Sequence, residues 1–176
     1  MTRYVAFIRA INGAPTNRIK MVDLAAHLEQ AGCSDVSWYL QTGNMFLTAP
    51  KRCSRGATAA AIEGVLHGYG LRRTDVMLRT PAEVHELVAR SPFSRWSPDD
   101  FKFTVSFLKT PPSLTPIGKL ECQQIELAYA DETVVCLAVP RDAPLSGGIS
   151  TVIDKPWGTA STTRWWNVVE AVAERC

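Results

Sequence analysis

Apolar and polar residues along this chain repeat with two different periods, and the switches between them mark out its elements. Tyr4 to Ile8 is a run rich in aromatic and aliphatic side chains. It stops at Arg9, before a loop punctuated by Gly13 and Pro15, which predicts a first strand over residues 3–9. Met21, Leu24, Ala25 and Leu28 then recur at helical spacing, with Asp23, His27 and Gln30 on the other side and Gly32 placed to close the helix. Val36, Trp38 and Leu40 alternate with Ser37, Tyr39 and Gln41, and Gly43-Asn44 supplies turn chemistry ahead of Met45 to Thr48, so a hairpin is expected. The Ala-rich run from Ala57 to Tyr69 predicts a second helix and Asp75 to Arg79 a fourth strand. The first half thus reads β-α-β-β-α-β.

The second half opens on Thr80-Pro81-Ala82-Glu83, with Thr as N-cap, Pro at the first helical position and Glu three residues beyond the cap. Phe101, Phe103, Val105 and Phe107 alternate with Lys102, Thr104 and Ser106 as in a half-buried strand, separated by Pro111, Pro112 and Pro116 from the next apolar segment. Two more strands are expected at 124–129 and 133–139. Residues 141–161 read as a long loop holding a short strand at Thr151 to Ile153. A last helix is expected from about Thr163, with Trp165, Val168, Val169 and Val172 on one face. Trp38 and Trp165 are assigned to the core, while Trp157 is placed in the long loop as a candidate pocket wall. The order of elements in the second half echoes the first, so the predicted class is α+β, with mostly antiparallel sheets in two packed subdomains, 1–80 and 81–176. The second would end in a helix that packs back on the first. A single mixed sheet is the alternative.

Composition narrows the class. In 176 residues, 46% hydrophobic content is enough to build a core without disulfides or metals, which excludes a disordered chain or a disulfide-stapled miniprotein. Lys plus Arg number 19 against 17 Asp plus Glu, a net charge of +2, which gives no general reason to expect a polyanion as partner. Cys33, Cys53, Cys122, Cys136 and Cys176 stand singly and read as reduced thiols, and His27, His67 and His85 are too far apart in sequence to suggest a zinc site. Tyr4 to Ile8 is too short for a signal peptide or a membrane span, so a soluble cytoplasmic protein is expected. No cofactor motif is found, since Gly147-Gly148 lacks the Lys-Ser/Thr of a phosphate-cradling loop, and no nucleophile elbow occurs. The Phe101–Phe107 strand lacks the glycine of an RNA-binding sheet motif, and its rings are better explained as core.

The placement of charge says more than its total. No carboxylate precedes Asp23, while Arg3, Arg9, Arg18 and Lys20 do. Helix N-termini carry unpaired N–H groups and partial positive charge, and normally attract an acid in the first turn. Glu83 meets that rule. The approach to the first helix, Asn12, Asn17, Arg18 and Lys20, does not, and neither does a last helix opened by Thr162, Thr163 and Arg164. Such starts suit a phosphate or carboxylate; the plainer reading is solvated basic residues and an ordinary Thr cap. Arg9, sharing a strand face with Val5 and Phe7, is equally explained as a buried structural arginine, and Gln41 and Asn44 as turn residues.

Several segments together suggest a family: Phe7-Ile8-Arg9-Ala10-Ile11-Asn12, Asn17-Arg18-Ile19-Lys20-Met21, Tyr39-Leu40-Gln41-Thr42-Gly43-Asn44, Ser91-Pro92-Phe93 and Thr162-Thr163-Arg164-Trp165-Trp166-Asn167. In order and spacing they resemble the domain-of-unknown-function family 1697 (DUF1697), small bacterial proteins. The resemblance spans nearly the whole chain and implies a pair of ferredoxin-like α+β units, with no activity to carry over. The chain departs from the family pattern at Ala10, which replaces a glycine, at Gly13-Ala14-Pro15, and at Trp165 and Val168.

The helix starts and the matching polar positions together point to a polar, cationic cleft for a small anionic molecule. Arg9, Lys20 and Arg164 would hold the anion, and Asn12, Asn44 and Asn167 would orient it. Gln41 and Thr163 would line the cleft, and Lys155 would reach in from the long loop. Whether the protein is an enzyme is left open, since no His or carboxylate base accompanies the cluster and the cations suit oxyanion stabilisation better. Two rivals stand beside this reading. One is a nucleic-acid or protein interaction module using the basic N-terminal edge. The other is a structural network in which the polar residues clamp the two halves.

Overall fold

A computed structural model describes residues 1–13, 17–112, 124–143 and 149–176. Pro15, Pro116, Cys122 and Gly147-Gly148 lie outside the described residues. The protein is α+β, with two four-stranded antiparallel sheets. It divides into two compact units, Met1–Val84 with Arg175–Cys176, and His85–Glu174.

In the first unit, β1 (Arg3–Ile8), α1 (Met21–Gln30), β2 (Ser34–Tyr39), β3 (Asn44–Thr48), α2 (Arg55–Gly68) and β4 (Val76–Arg79) follow in order, and α3 (Pro81–Ala89) begins at its end. The sheet order is β2-β3-β1-β4, so β1 is central, paired with β3 on one side and β4 on the other. Alternation assigns Tyr4, Ala6 and Ile8 to the core shared with Met21, Leu24 and Leu28 of α1 and Ile62 and Leu66 of α2. Val5 and Phe7, on the opposite face, are also fully buried. Helix ends follow local chemistry. At the end of α1, Gly32 (φ 91°) adopts the left-handed conformation, Gly32 N–H donates to Glu29 O at 2.9 Å and Cys33 N–H to Leu28 O at 3.0 Å. The Ser54 hydroxyl accepts from Ala57 N–H and starts α2. The Thr80/Glu83 capping box is complete, with Thr80 N–H donating to Glu83 Oε2 at 2.6 Å and Glu83 N–H to Thr80 Oγ1 at 3.3 Å.

The second unit contains β5 (Phe101–Leu108), β6 (Glu126–Ala130), β7 (Val134–Pro140), α4 (Ile149–Trp157), β8 (Ser161–Trp165) and α5 (Trp166–Ala173). Its sheet order, β6-β7-β5-β8, repeats that of the first. Val135, Leu137 and Val139 share a core with Ile149, Val152, Ile153 and Trp157, and Leu108 of β5 joins it. Thr104 and Ser106 share the face of Leu108 and are buried along with Val105 and Phe107, where alternation alone implied a half-exposed strand.

Three expectations are corrected. Thr151 to Ile153 lie in α4 and form no strand. The last helix starts at Trp166, three residues later than expected, because Ser161 to Trp165 pair with β5 from Leu108 to Thr104 and complete the sheet. The β-branched Thr162-Thr163 pair suits that edge strand. Trp38 and Trp165 are 37% and 48% exposed, whereas Trp157 is a fully buried core residue. Both exposed tryptophans stand on outer strands of their sheets.

Candidate functional site

The signature asparagines of the first unit knit three loops together. Asn12 adopts φ 55°, a left-handed conformation that Asn tolerates better than most residues. There its side-chain amide donates to Gln41 O at 2.7 Å and to Ile19 O at 3.0 Å, while Oδ1 accepts from Ile19 N–H at 2.9 Å. Asn17 works the same way: its amide donates to Arg72 O at 2.7 Å and Ala10 O at 3.2 Å, and its carbonyl accepts from Arg72 N–H. The loop after β1 is thereby tied to the β2–β3 turn and to the loop before β4. Gly43 completes the junction. It has φ 82°, and a Cβ there would lie 2.9 Å from Ile11 Cδ1 and 3.0 Å from Ile8 Cβ, so only glycine lets Ile11 close over the turn.

Asn12, Arg18, Ile19, Lys20 and Gln41 line an open pocket of about 390 Å³ at the start of α1. Lys20 is the N-cap residue of α1, and its side chain makes no cap hydrogen bond. Arg18 and Lys20 are both exposed, with Ile19 buried between them. The expectation of an acid-free first turn is corrected in one respect, for Asp23 lies in that turn.

Of the residues assigned to a site from sequence, Asn12, Lys20 and Gln41 are brought together here. Arg9 lies just beyond β1, half-buried, with its N–H donating to Asp75 O. Asn44 is fully buried in β3, where its amide donates to Tyr39 O at 3.0 Å and shapes the hairpin. Arg18 lines the pocket without having been among the expected site residues; its place in the acid-free basic stretch is the signal that could have found it.

The remaining four belong to the second unit. Thr163 and Arg164 stand on opposite faces of β8 and not at a helix start, because the strand continues through them. Thr163 shares a hydroxyl hydrogen bond of 2.8 Å with Ser106. Arg164 is largely buried, its Nη1 donating to Thr162 Oγ1 at 2.8 Å and to Thr163 O at 2.9 Å. Burial pushes the pKa of its guanidinium down to about 10, which leaves it charged at neutral pH. Lys155 stands on α4, in the last turn. Asn167 lines a separate pocket of about 600 Å³ with His85, Val88, Glu170 and Glu174, where the surrounding charge is acidic.

The family's sequence profile, described as a protein of unknown function (DUF1697), matches residues 1–135. The chain belongs to the DUF1697 family. The matched span includes Asn12, Asn17 and Gly43. Among solved structures, the conserved bacterial protein SP0830 from Streptococcus pneumoniae has the same fold, with a TM-score of 0.67 at 15% identity, covering 99% of this chain and 98% of that one. No curated protein matches the chain. Among the described residues of this DUF1697 member, no helix is long and apolar enough to cross a membrane.

Proposed function

We propose that this protein binds a small phosphate- or carboxylate-bearing molecule in the pocket at the start of α1, with Arg18 and Lys20 supplying charge and Asn12 and Gln41 framing the opening. The observation that carries this reading is the pocket itself: two cations flank the N-terminus of a ten-residue helix whose N-cap side chain makes no cap hydrogen bond. An anion there gains from both the side-chain charges and the aligned backbone N–H groups. Asn12 contributes by holding the pocket's walls, since its amide is engaged with both of them. Lys155, Thr163, Arg164 and Asn167 are not counted in the proposed pocket. The ferredoxin-like description of each unit belongs to the same reading and is supported by the shared β2-β3-β1-β4 and β6-β7-β5-β8 strand orders.

The test is a thermal-shift screen with inorganic phosphate, pyrophosphate, citrate and a set of sugar phosphates, on the protein and on the Arg18→Ala/Lys20→Ala double variant. Neither residue is buried, so the double variant should melt near the parent without ligand. A ligand at a hundred times its Kd stabilises by about 2.7 kcal/mol, and that gain should vanish in the double variant. A shift that survives the double substitution, or no shift with any of these anions, rejects the reading.

A further inference from the structure

Two adjoining turns of the first unit set a pair of cysteines near one another. The first is the Gly32 turn that ends α1, in which the Cys33 N–H is fixed to Leu28 O at 3.0 Å. The second follows β3, where Cys53 N–H donates to Pro50 O at 3.3 Å and Arg52 takes φ 65°, folding Cys53 back toward Pro50. The turns touch, for a Cβ on Gly32 would lie 3.5 Å from Pro50 Cγ. Strand pairing agrees: Ser34, next to Cys33, stands opposite Thr48 at the end of β3. Cys53 is exposed and Cys33 is partly buried. Burial raises the Cys33 pKa, and the neighbouring Cys53 raises it further.

We propose that Cys33 and Cys53 form a reversible redox pair that closes to an intramolecular disulfide by exchange with a low-molecular-weight disulfide such as oxidised glutathione. The exposed Cys53 thiolate attacks one sulfur of the small disulfide, forming a mixed disulfide and releasing one thiolate. Cys33 then loses its proton and attacks the Cys53 sulfur, and the second small thiolate leaves. Two protein thiols are oxidised, one small disulfide is reduced to two thiols, and the two protons pass to those products. A disulfide requires Cα atoms roughly 4.4–6.8 Å apart, and Cys53 stands on an exposed turn beyond the β2–β3 pairing, which ends at Thr48. The closed bridge joins the end of α1 to the loop that enters α2, two helices that cover one core. Cys136 supplies an internal contrast: it is fully buried in β7, with its thiol pushed up to about 12.

The experiment treats the full chain with graded oxidised glutathione, alkylates the remaining thiols and maps the cross-linked peptides by mass spectrometry. The expected product is a Cys33–Cys53 bridge that dithiothreitol reverses and that raises the Tm. Cys33→Ser should stop at a glutathione adduct on Cys53. Cys53→Ser, a change on an exposed turn, should fold as the parent does and form no bridge to Cys33. A persistent Cys53–glutathione adduct in the parent overturns the proposal, as does a predominant bridge to Cys122 or Cys176, or an unchanged Tm on bridging.

Discussion

Arg79 and Arg164 occupy equivalent places in the two sheets. Each stands on the strand flanking the central one, opposite a valine of that central strand, Val5 for Arg79 and Val105 for Arg164. Each comes two residues before the helix that follows its strand. Each is largely buried and turns its Nη1 back to the carbonyl of the preceding residue, Leu78 O at 2.8 Å and Thr163 O at 2.9 Å. The two units thus repeat a backbone order and also a way of accommodating a buried guanidinium at the same point, although no repeat is readable in their sequences. The predictions for a cation so placed concern stability.

Thr162→Val removes the hydroxyl that accepts from Arg164 Nη1 while keeping the side chain's volume. A buried donor left short of an acceptor costs about 1–3 kcal/mol. The chemical denaturation midpoint should fall accordingly, and phosphate or citrate should not restore it.

The low pKa of Arg164, about 10 in the folded protein and well below the ordinary arginine value because of burial, sets a pH dependence whose sign is fixed. The folded state holds this proton less tightly than the unfolded chain, so the group's contribution to stability is fully present only above the unfolded pKa and is lost as pH falls through the folded value. From pH 5 to 9 the arginine is charged in both states. The stability difference between the parent and Arg164→Met should therefore be constant over that range and shift toward the parent above pH 10. Urea titrations at a series of pH values check both parts.

Gly43→Ala should destabilise the first unit by about 1–3 kcal/mol, because a Cβ must meet Ile11 and Ile8 at 2.9–3.0 Å in a left-handed backbone. Ile11→Ala in the same chain should recover part of the steric cost and none of the backbone cost, which a double-mutant cycle separates.

Ala10 has φ 57°, the reason a glycine suits this position. Left-handed geometry costs a residue with a Cβ about 1 kcal/mol, so Ala10→Gly should leave the Tm unchanged or raise it, the relief offsetting the greater entropy of the unfolded chain. A fall in Tm of several degrees would contradict this account of the turn.

Glu83 and Asp131 should carry acid sensitivity. Burial alone would raise both carboxyls, but donors outweigh it. Thr80 N–H and the bidentate Arg55 hold Glu83 below its usual range, and Thr133, Tyr129 and Val134 do the same for Asp131. A lowered carboxylate pKa contributes stability that is present above its unfolded value and lost as pH falls through the folded one. The denaturation midpoint should drop between pH 5 and pH 3, and less so in Glu83→Gln and Asp131→Asn.

Much of the architecture is legible in the order of residues alone. The first unit's six elements follow from period and punctuation, since α1 presents a single apolar face, Gly32 closes it, and the Thr80/Glu83 capping box is written in four consecutive residues. Local rules fail where an edge strand needs its partner. Within Ser161 to Trp165 the Thr162-Thr163 pair suits a strand by its β-branching and a helix start by its capping hydroxyls, and hydrogen bonds to β5 decide the matter. A helix start at Thr163 would place Thr163 and Arg164 at a helix N-terminus, whereas both stand in β8.

The sequence by itself determined the class, the element order of the first unit and the basic approach to α1, because these depend on neighbours a few residues apart. Only the tertiary structure decided that Asn12 reaches Gln41 across 29 residues, that Gly43 must admit Ile11, and that Arg164 is a buried strand residue. Each of those outcomes is set by atoms brought together from distant parts of the chain, where hydrogen-bond satisfaction and close packing override local preference.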